Sequence, residues 1–332
     1  MTFDKFMRSA LLLPVLCAGL AVQVSAGTVG TTTADILKIN QGARPAAMAG
    51  AYTAIGDDAY SVNYNPAGIV GVRAPQLVVL HSDHLAYIAY EYFTFALPWG
   101  TKRALAANLT YRHTGTIDNP PLPGEPDNPP VSASDTLFTV SAAQNFNDKF
   151  AVGLTGKYLG SNLAEYKASA FCVDLGFKML KLPYNIKGGL AVQNLGTSMD
   201  FVKNDLENVK DPLPMFIRAG VGWGTFINKR KELNVGLEFF KPSDQPPKMA
   251  LGGEFWLFEK LFAVRAGMKR EQISKDPGNL FHNYTLGFTL TRAFEGSDFS
   301  LDFAYNPAAF ELTIEDTYFV ALNIRFNRLH IL

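Results

Sequence analysis

From about residue 75 onward, apolar and polar side chains alternate with a period of two, segment after segment. In 231–240 the apolar set is Leu233, Val235, Leu237 and Phe239, with Glu232, Asn234, Gly236 and Glu238 between them. In 299–305, Phe299, Leu301, Phe303 and Tyr305 alternate with Ser300, Asp302 and Ala304. Such alternation marks strands with one greasy and one wet face. Fourteen segments of this kind run from 75–83 to 315–326, most of them about 9–13 residues long. A tilted strand crossing a bilayer needs roughly 9–11 residues, whereas strands of soluble domains run to about 5–6. The pattern therefore predicts an all-β fold, a transmembrane antiparallel β-barrel of about 14 strands built from residues 75–332.

The last segment is the sharpest. Tyr318, Val320, Leu322, Ile324 and Phe326 form one apolar face. It resembles the closing strand that the outer-membrane barrel assembly machinery reads. On the opposite, wet faces lie Gly153, Gly176, Gly189, Gly220, Gly236, Gly252, Gly267 and Gly287, near the middle of eight strands. Glycine weakens a strand unless the sheet must bend or another backbone comes close. Barrel curvature and a plug against the wall both account for the row. Asp174, Lys178, Arg218, Glu238, Arg265, Lys269 and Asp302 share that face. A charge on the lipid side costs roughly 2–4 kcal/mol at mid-membrane, so these seven are expected to point into the lumen. There they either hold a plug or line a substrate path. Two connections are long: 114–134, with Asn119-Pro120-Pro121 and Asn128-Pro129-Pro130, and 196–213, read as a polar loop with one helical turn.

Residues 27–74 do not alternate. They are rich in small side chains and end in Asn63-Tyr64-Asn65-Pro66-Ala67-Gly68. Before them, a charged start (Met1 to Arg8), an apolar run (Ala10 to Val24) and a small-residue site at Ser25-Ala26 form the layout of a secretory signal peptide, residues 1–26. Export leaves three fates, a soluble periplasmic protein, a secreted protein or an outer-membrane barrel, and the strand pattern selects the cell outer membrane.

Lys and Arg total 30 and Asp and Glu total 30, so the chain is formally neutral. That balance gives no basic excess for nucleic acid. Cys172 stands alone once Cys17 leaves with the signal, so no internal disulfide is expected. Hydrolase, metalloprotease, phosphate-loop and paired-cysteine motifs are absent, and no enzyme activity or cofactor is expected. Gly220-Val221-Gly222-Trp223-Gly224 imitates a nucleotide loop but sits within a strand. His81 and His84 are read as a solvated turn rather than a metal site, and no metal is expected. Asp57 and Asp58 lack further oxygen ligands for a cation. They are expected to pair with an inner-wall Arg or Lys, or to cap the small helix before them.

The run GARPAAMAGAYTAIGDDAYSVNYNPAGI, Gly42 to Ile69, resembles the N-terminal signature of PorV/PorQ-type outer-membrane proteins, within the FadL-like superfamily whose hatch also carries Asn-Pro-Ala. Gly189 to Gly196, Arg218 to Val221 and Phe303 to Pro307 match as well. The resemblance implies that 27–74 folds into the lumen as a hatch, with Asp57, Asp58, Asn65, Pro66, Ala67 and Gly68 as its motif. It implies two functions. PorV-type members serve type IX secretion, binding exported cargo proteins and carrying them from translocon to attachment complex. FadL-type members pass long-chain fatty acids or other hydrophobic molecules through the wall. Outer-membrane lipids are partners in either case.

Overall fold

A computed structural model describes residues 31–39, 41–84, 88–116, 118, 130–203, 207–228, 230–271, 284–307 and 316–327. The signal-peptide expectation lies outside these residues, as does most of the proline-rich stretch.

The strands are β1 (Gln76–His84), β2 (Ile88–Trp99), β3 (Arg103–Thr114), β4 (Ala133–Asn145), β5 (Phe150–Leu163), β6 (Tyr166–Met179), β7 (Ile186–Gly196), β8 (Met199–Lys203), β9 (Glu207–Asp211), β10 (Phe216–Asn228), β11 (Lys231–Pro242), β12 (Lys248–Leu257), β13 (Phe262–Glu271), β14 (Tyr284–Phe294), β15 (Ser297–Asn306) and β16 (Thr317–Phe326). Successive wall strands pair antiparallel, β7 pairs with β10 across the β8–β9 hairpin, and β1 pairs with β16, as in Leu80↔Ala321. The β5–β6 pairing, Phe150↔Met179 through Leu163↔Tyr166, completes the ring. Without the β8–β9 hairpin, the ring holds fourteen of the sixteen strands, so the sheet has no free edge within the wall. Closure of this kind satisfies every backbone group in lipid.

The hairpin corrects the expectation for 196–213. Met199–Lys203 and Glu207–Asp211 are strands, and among the described residues they pair with the wall at Lys167↔Val202. Five-residue strands offer too few alternations for the period to register.

Register puts like faces together. Leu237, Leu251 and Met268 stand side by side across β11, β12 and β13, each 42–48 % exposed on the outer surface. The same strands set Gly222, Gly236, Gly252 and Gly267 in one row on the inside. In β16, Tyr318, Val320 and Leu322 face out, while Phe319 and Ala321 are buried. Short turns gather at one end of the barrel, including 100–102, 146–149, 180–185 and 258–261. The long connections 115–132, 197–215, 272–283 and 307–316 gather at the other. Outer-membrane barrels turn their short connections to the periplasm.

Residues 41–75 pack inside this ring as brief helical turns, Ala43–Ala46, Ala59–Asn63 and Pro66–Gly71. The side chain of Asp58 accepts from the Tyr60 amide and that of Asn65 from the Ala67 amide, each capping the turn that follows it. Ala43, Ala46, Ala47, Met48, Tyr52, Tyr60, Ala67 and Ile69 are all buried, in one cluster with inner-wall Val78, Leu80, Ala96 and Ala321.

Candidate functional site

The inner wall meets the N-terminal segment backbone to backbone. A Cβ placed on Gly252 would lie 2.5 Å from the Met48 carbonyl, and one on Gly236 would lie 2.7 Å from that of Ala51. Gly153 and Gly176 press on Pro66 and Ala67, and Gly189 and Gly220 on Thr53 and Ala54. At Gly153, Gly176, Gly189, Gly236 and Gly252 an added Cβ would come closer than 3.0 Å, while at Gly220 it would lie at 3.0 Å from the Ala54 amide nitrogen. The approach lets wall carboxylates reach amide groups of the segment.

Glu238 of β11 is buried and accepts from the amides of Tyr52 (2.9 Å) and Thr53 (2.8 Å), and from the Thr53 hydroxyl (2.7 Å). Its charge is met by Arg218 of β10, whose Nη1 lies 2.9 Å away. The Arg218 guanidinium also lies 4.2 Å above the centre of the Phe240 ring and donates to Gln193 (2.7 Å). Gln193 in turn donates to the Asn63 carbonyl (2.9 Å). Asp174 of β6 pairs with Lys157 (2.7 Å) and accepts from the Asn194 amide (2.8 Å). Lys178 donates to the Gly56 carbonyl. Asp302 accepts from the Tyr60 hydroxyl (3.1 Å), and Arg265 donates to Glu254 (2.7 Å). Lys269 lines a small cavity with Lys38, Arg218 and Glu238. All seven wall residues singled out by alternation thus lie on the inner side. Asp174, Lys178, Arg218, Glu238, Arg265 and Asp302 bond one another, other wall groups or the segment.

Asp57 and Asp58 find their cation within the segment rather than on the wall. Arg44 donates to Asp57 (2.8 Å) and Asp58 (2.7 Å) from Nη1, and holds Glu254 of β12 with two bonds of 2.8 Å. Asp58 caps the helical turn after it, not one before. Desolvation pushes both carboxyls up. For Asp57 the charges of Arg44, Lys187 and Lys178, with the Arg44 hydrogen bond, together outweigh it and hold the group well below the usual carboxylate range, whereas Asp58, beside Asp57, is raised above its ordinary value. Asn65 donates to the carbonyls of Thr53 and Phe177, both at 3.0 Å, tying segment to wall. Pro66 starts the next turn, and the Gly68 position would clash with the Gly56 carbonyl at 2.7 Å if it carried a Cβ. His81 lies between Glu91 (2.7 Å) and Asp83 (3.2 Å), in the open.

Sequence reasoning passed over Arg44, Glu254, Lys157 and the Gln193-Asn194 pair. Glu254 and Lys157 carried a usable signal, since they have the same parity as Gly252 and Gly153 and so share the inner face. Asn194 carried none. It adopts φ 60° at a bulge where β7 gains a residue over β6, so it and Gln193 both face inward against the alternation.

Two small cavities lie above the segment. The Lys38–Lys269 cavity measures about 50 Å³, and a neighbouring one beside Tyr64 and Asn194 about 10 Å³. That is space for a few water molecules. At the short-turn end a vestibule of about 700 Å³ opens beneath Asp57 and Lys178.

A family model described as type IX secretion system protein PorV matches residues 23–248. The chain belongs to the PorV family. Among curated protein sequences no match is found. Solved structures share the barrel. The toluene transporter TodX of Pseudomonas putida superimposes with a TM-score of 0.60 at 10 % identity, over 85 % of this chain and 97 % of that one. The toluene transporter TbuX of Ralstonia pickettii gives 0.57 at 12 % identity, over 86 % and 98 %. A FadL homologue of Pseudomonas aeruginosa gives 0.54 at 10 % identity, over 91 % and 100 %. At such identities the likeness is one of fold. This PorV-family chain is thus a FadL-like barrel of the cell outer membrane.

Proposed function

We propose that this PorV-family barrel acts in the export or surface attachment of proteins, binding cargo in the manner of type IX secretion, and that residues 27–74 are its hatch. The observation that carries the reading is the family match across residues 23–248. The nearly filled lumen supports it, because a protein-binding barrel needs a surface rather than a bore. In this reading Arg44, Asp57, Asp58 and Asn65 hold the hatch to Glu254 and the β6 backbone, and Glu238, Arg218 and Asp302 anchor its middle. The β16 face from Tyr318 to Phe326 is the segment that the assembly machinery engages.

The test is a gentle pull-down of the native protein from outer membranes, with mass spectrometry of bound proteins and lipids. Secreted proteins or translocon components are expected among the co-purifying species. Their consistent absence would refute cargo binding.

The alternative is a FadL-like conduit for long-chain fatty acids or other hydrophobic molecules. The β7 bulge favours it, since a wall opens most readily where its ladder is already irregular. Proteoliposomes that take up a fluorescent fatty acid only when the protein is present would establish that reading.

A further inference from the structure

The vestibule at the short-turn end is built from the last turn of the N-terminal segment and the ends of several strands. Five cations line it: Arg73, Lys102, Lys178, Lys181 and Lys187. Of its three carboxylates, Asp57 is held by Arg44 at 2.8 Å and Glu232 by Lys260 at 3.0 Å, which leaves Asp148 against the five cations. Among the described residues no ion pair is formed by Arg73, Lys102, Lys181 or Lys187, and Lys178, which is buried, donates to the Gly56 carbonyl. Cations gathered on a concave, low-dielectric wall focus their field into the cavity. Amide side chains of Asn145, Asn147 and Asn185 stand among them, and Val70, Leu180 and the 71 % exposed Phe226 give it an apolar margin.

We propose that this vestibule is a docking site for an acidic peptide segment of a periplasmic protein, its carboxylates among the lysines and an apolar side chain against Phe226. The volume lies within the range of about 300–1,000 Å³ typical of ligand pockets, enough for a few side chains and too small for a folded domain. The short turns place it on the periplasmic side, away from the outer-leaflet lipids. The apolar margin beside the charges favours a peptide over a simple inorganic anion. The inference requires only the barrel and its orientation, so its failure leaves the cargo reading untouched.

The test uses the full-length protein in detergent and a fluorescein-labelled hexaglutamate peptide, followed by anisotropy at low salt. Hexaglutamate is expected to bind at least about tenfold more tightly than hexaglutamine, and to weaken as salt rises. The triple variant Lys102→Gln, Lys181→Gln, Lys187→Gln is expected to lose roughly fivefold or more in affinity. A control carrying Lys167→Gln and Lys210→Gln, at the opposite end, is expected to keep it. Should the triple variant fail to fold, Lys181→Gln alone, in a turn, is expected to lose about twofold. Equal binding of the two peptides, unchanged binding by the folded triple variant, or full displacement by equimolar inorganic phosphate would each overturn the proposal.

Discussion

Glu254 carries two guanidiniums. Arg44 from the segment and Arg265 from the neighbouring strand both lie within 2.8 Å of it, and its side chain has no solvent exposure. Such a triad is expensive to assemble and more expensive to break, because removing one member leaves the others buried and charged. Glu254→Ala is therefore expected to cost about 3–5 kcal/mol, read from the urea midpoint of the barrel in detergent. Glu232→Ala, which removes the partner of the exposed Lys260, is expected to cost under about 1 kcal/mol. Equal losses would mean that the triad is not desolvated. A second comparison lies one residue away. Gly252 faces the segment, with Met48 at 2.5 Å from an added Cβ, while Gly253 faces outward with its nearest atom at 4.0 Å. Gly252→Ala is expected to destabilise by roughly 1–3 kcal/mol and to open residues 41–72 to protease. Gly253→Ala is expected to be neutral or stabilising by up to about 1 kcal/mol, since alanine restricts the unfolded strand.

At the scale of elements, the segment is clasped at its outer end. Lys38 donates to Asp244, in the β11–β12 turn, at 2.8 Å, and Thr32 donates to the same oxygen at 2.5 Å. Burial pulls Lys38 down, but its bonds to Asp244 and Asp35 outweigh this and raise it above the ordinary 10.5. Burial likewise pushes Asp244 up, and the bonds from Lys38 and Thr32 outweigh it and hold the group below 3.8. The lysine's contribution is complete below pH 10.5 and fades as pH rises through its raised value. The aspartate's is complete above pH 3.8 and fades as pH falls through its depressed value. The protection factors of the amides at residues 33–38, with intrinsic exchange divided out, are thus expected to stay constant between these limits and to fall outside them. In Asp244→Asn the acid arm of that profile should vanish. Elements of this kind were only partly legible in the sequence. Period-two alternation exposed the fourteen wall strands and the inward side of Glu238, Arg218 and Asp302, because a pleated sheet converts parity directly into facing. It was blind to which partner each charge meets. Arg44 and Glu254 lie 210 positions apart, and only the path of the segment through the lumen unites them. Parity also failed at Asn194, where a left-handed residue resets the count, as asparagine tolerates more readily than most side chains.

For the molecule as a whole, polarity is inverted relative to a soluble domain: charges are interior, and the large apolar side chains are outside. Phe93, Phe138, Leu154, Phe171, Leu237, Leu251, Phe288 and Leu301 are all between 38 % and 63 % exposed. In water this belt would drive aggregation. In a bilayer it is what holds the barrel in place, and its energy depends on depth. Leu251 sits mid-strand in β12, beside Leu237 and Met268, whereas Leu261 sits in the short β12–β13 turn. An arginine at mid-membrane costs roughly 2–4 kcal/mol, and near the interface about 0–1 kcal/mol. Leu251→Arg is therefore expected to lower the stability of the lipid-embedded barrel several-fold more than Leu261→Arg does, measured by urea unfolding from thin bilayers. Both outward positions leave the lumen contacts intact, so a difference between them reports lipid alone. If the two substitutions cost the same, the outer face at β11–β13 is not immersed, and a bound protein rather than acyl chain covers that part of the wall.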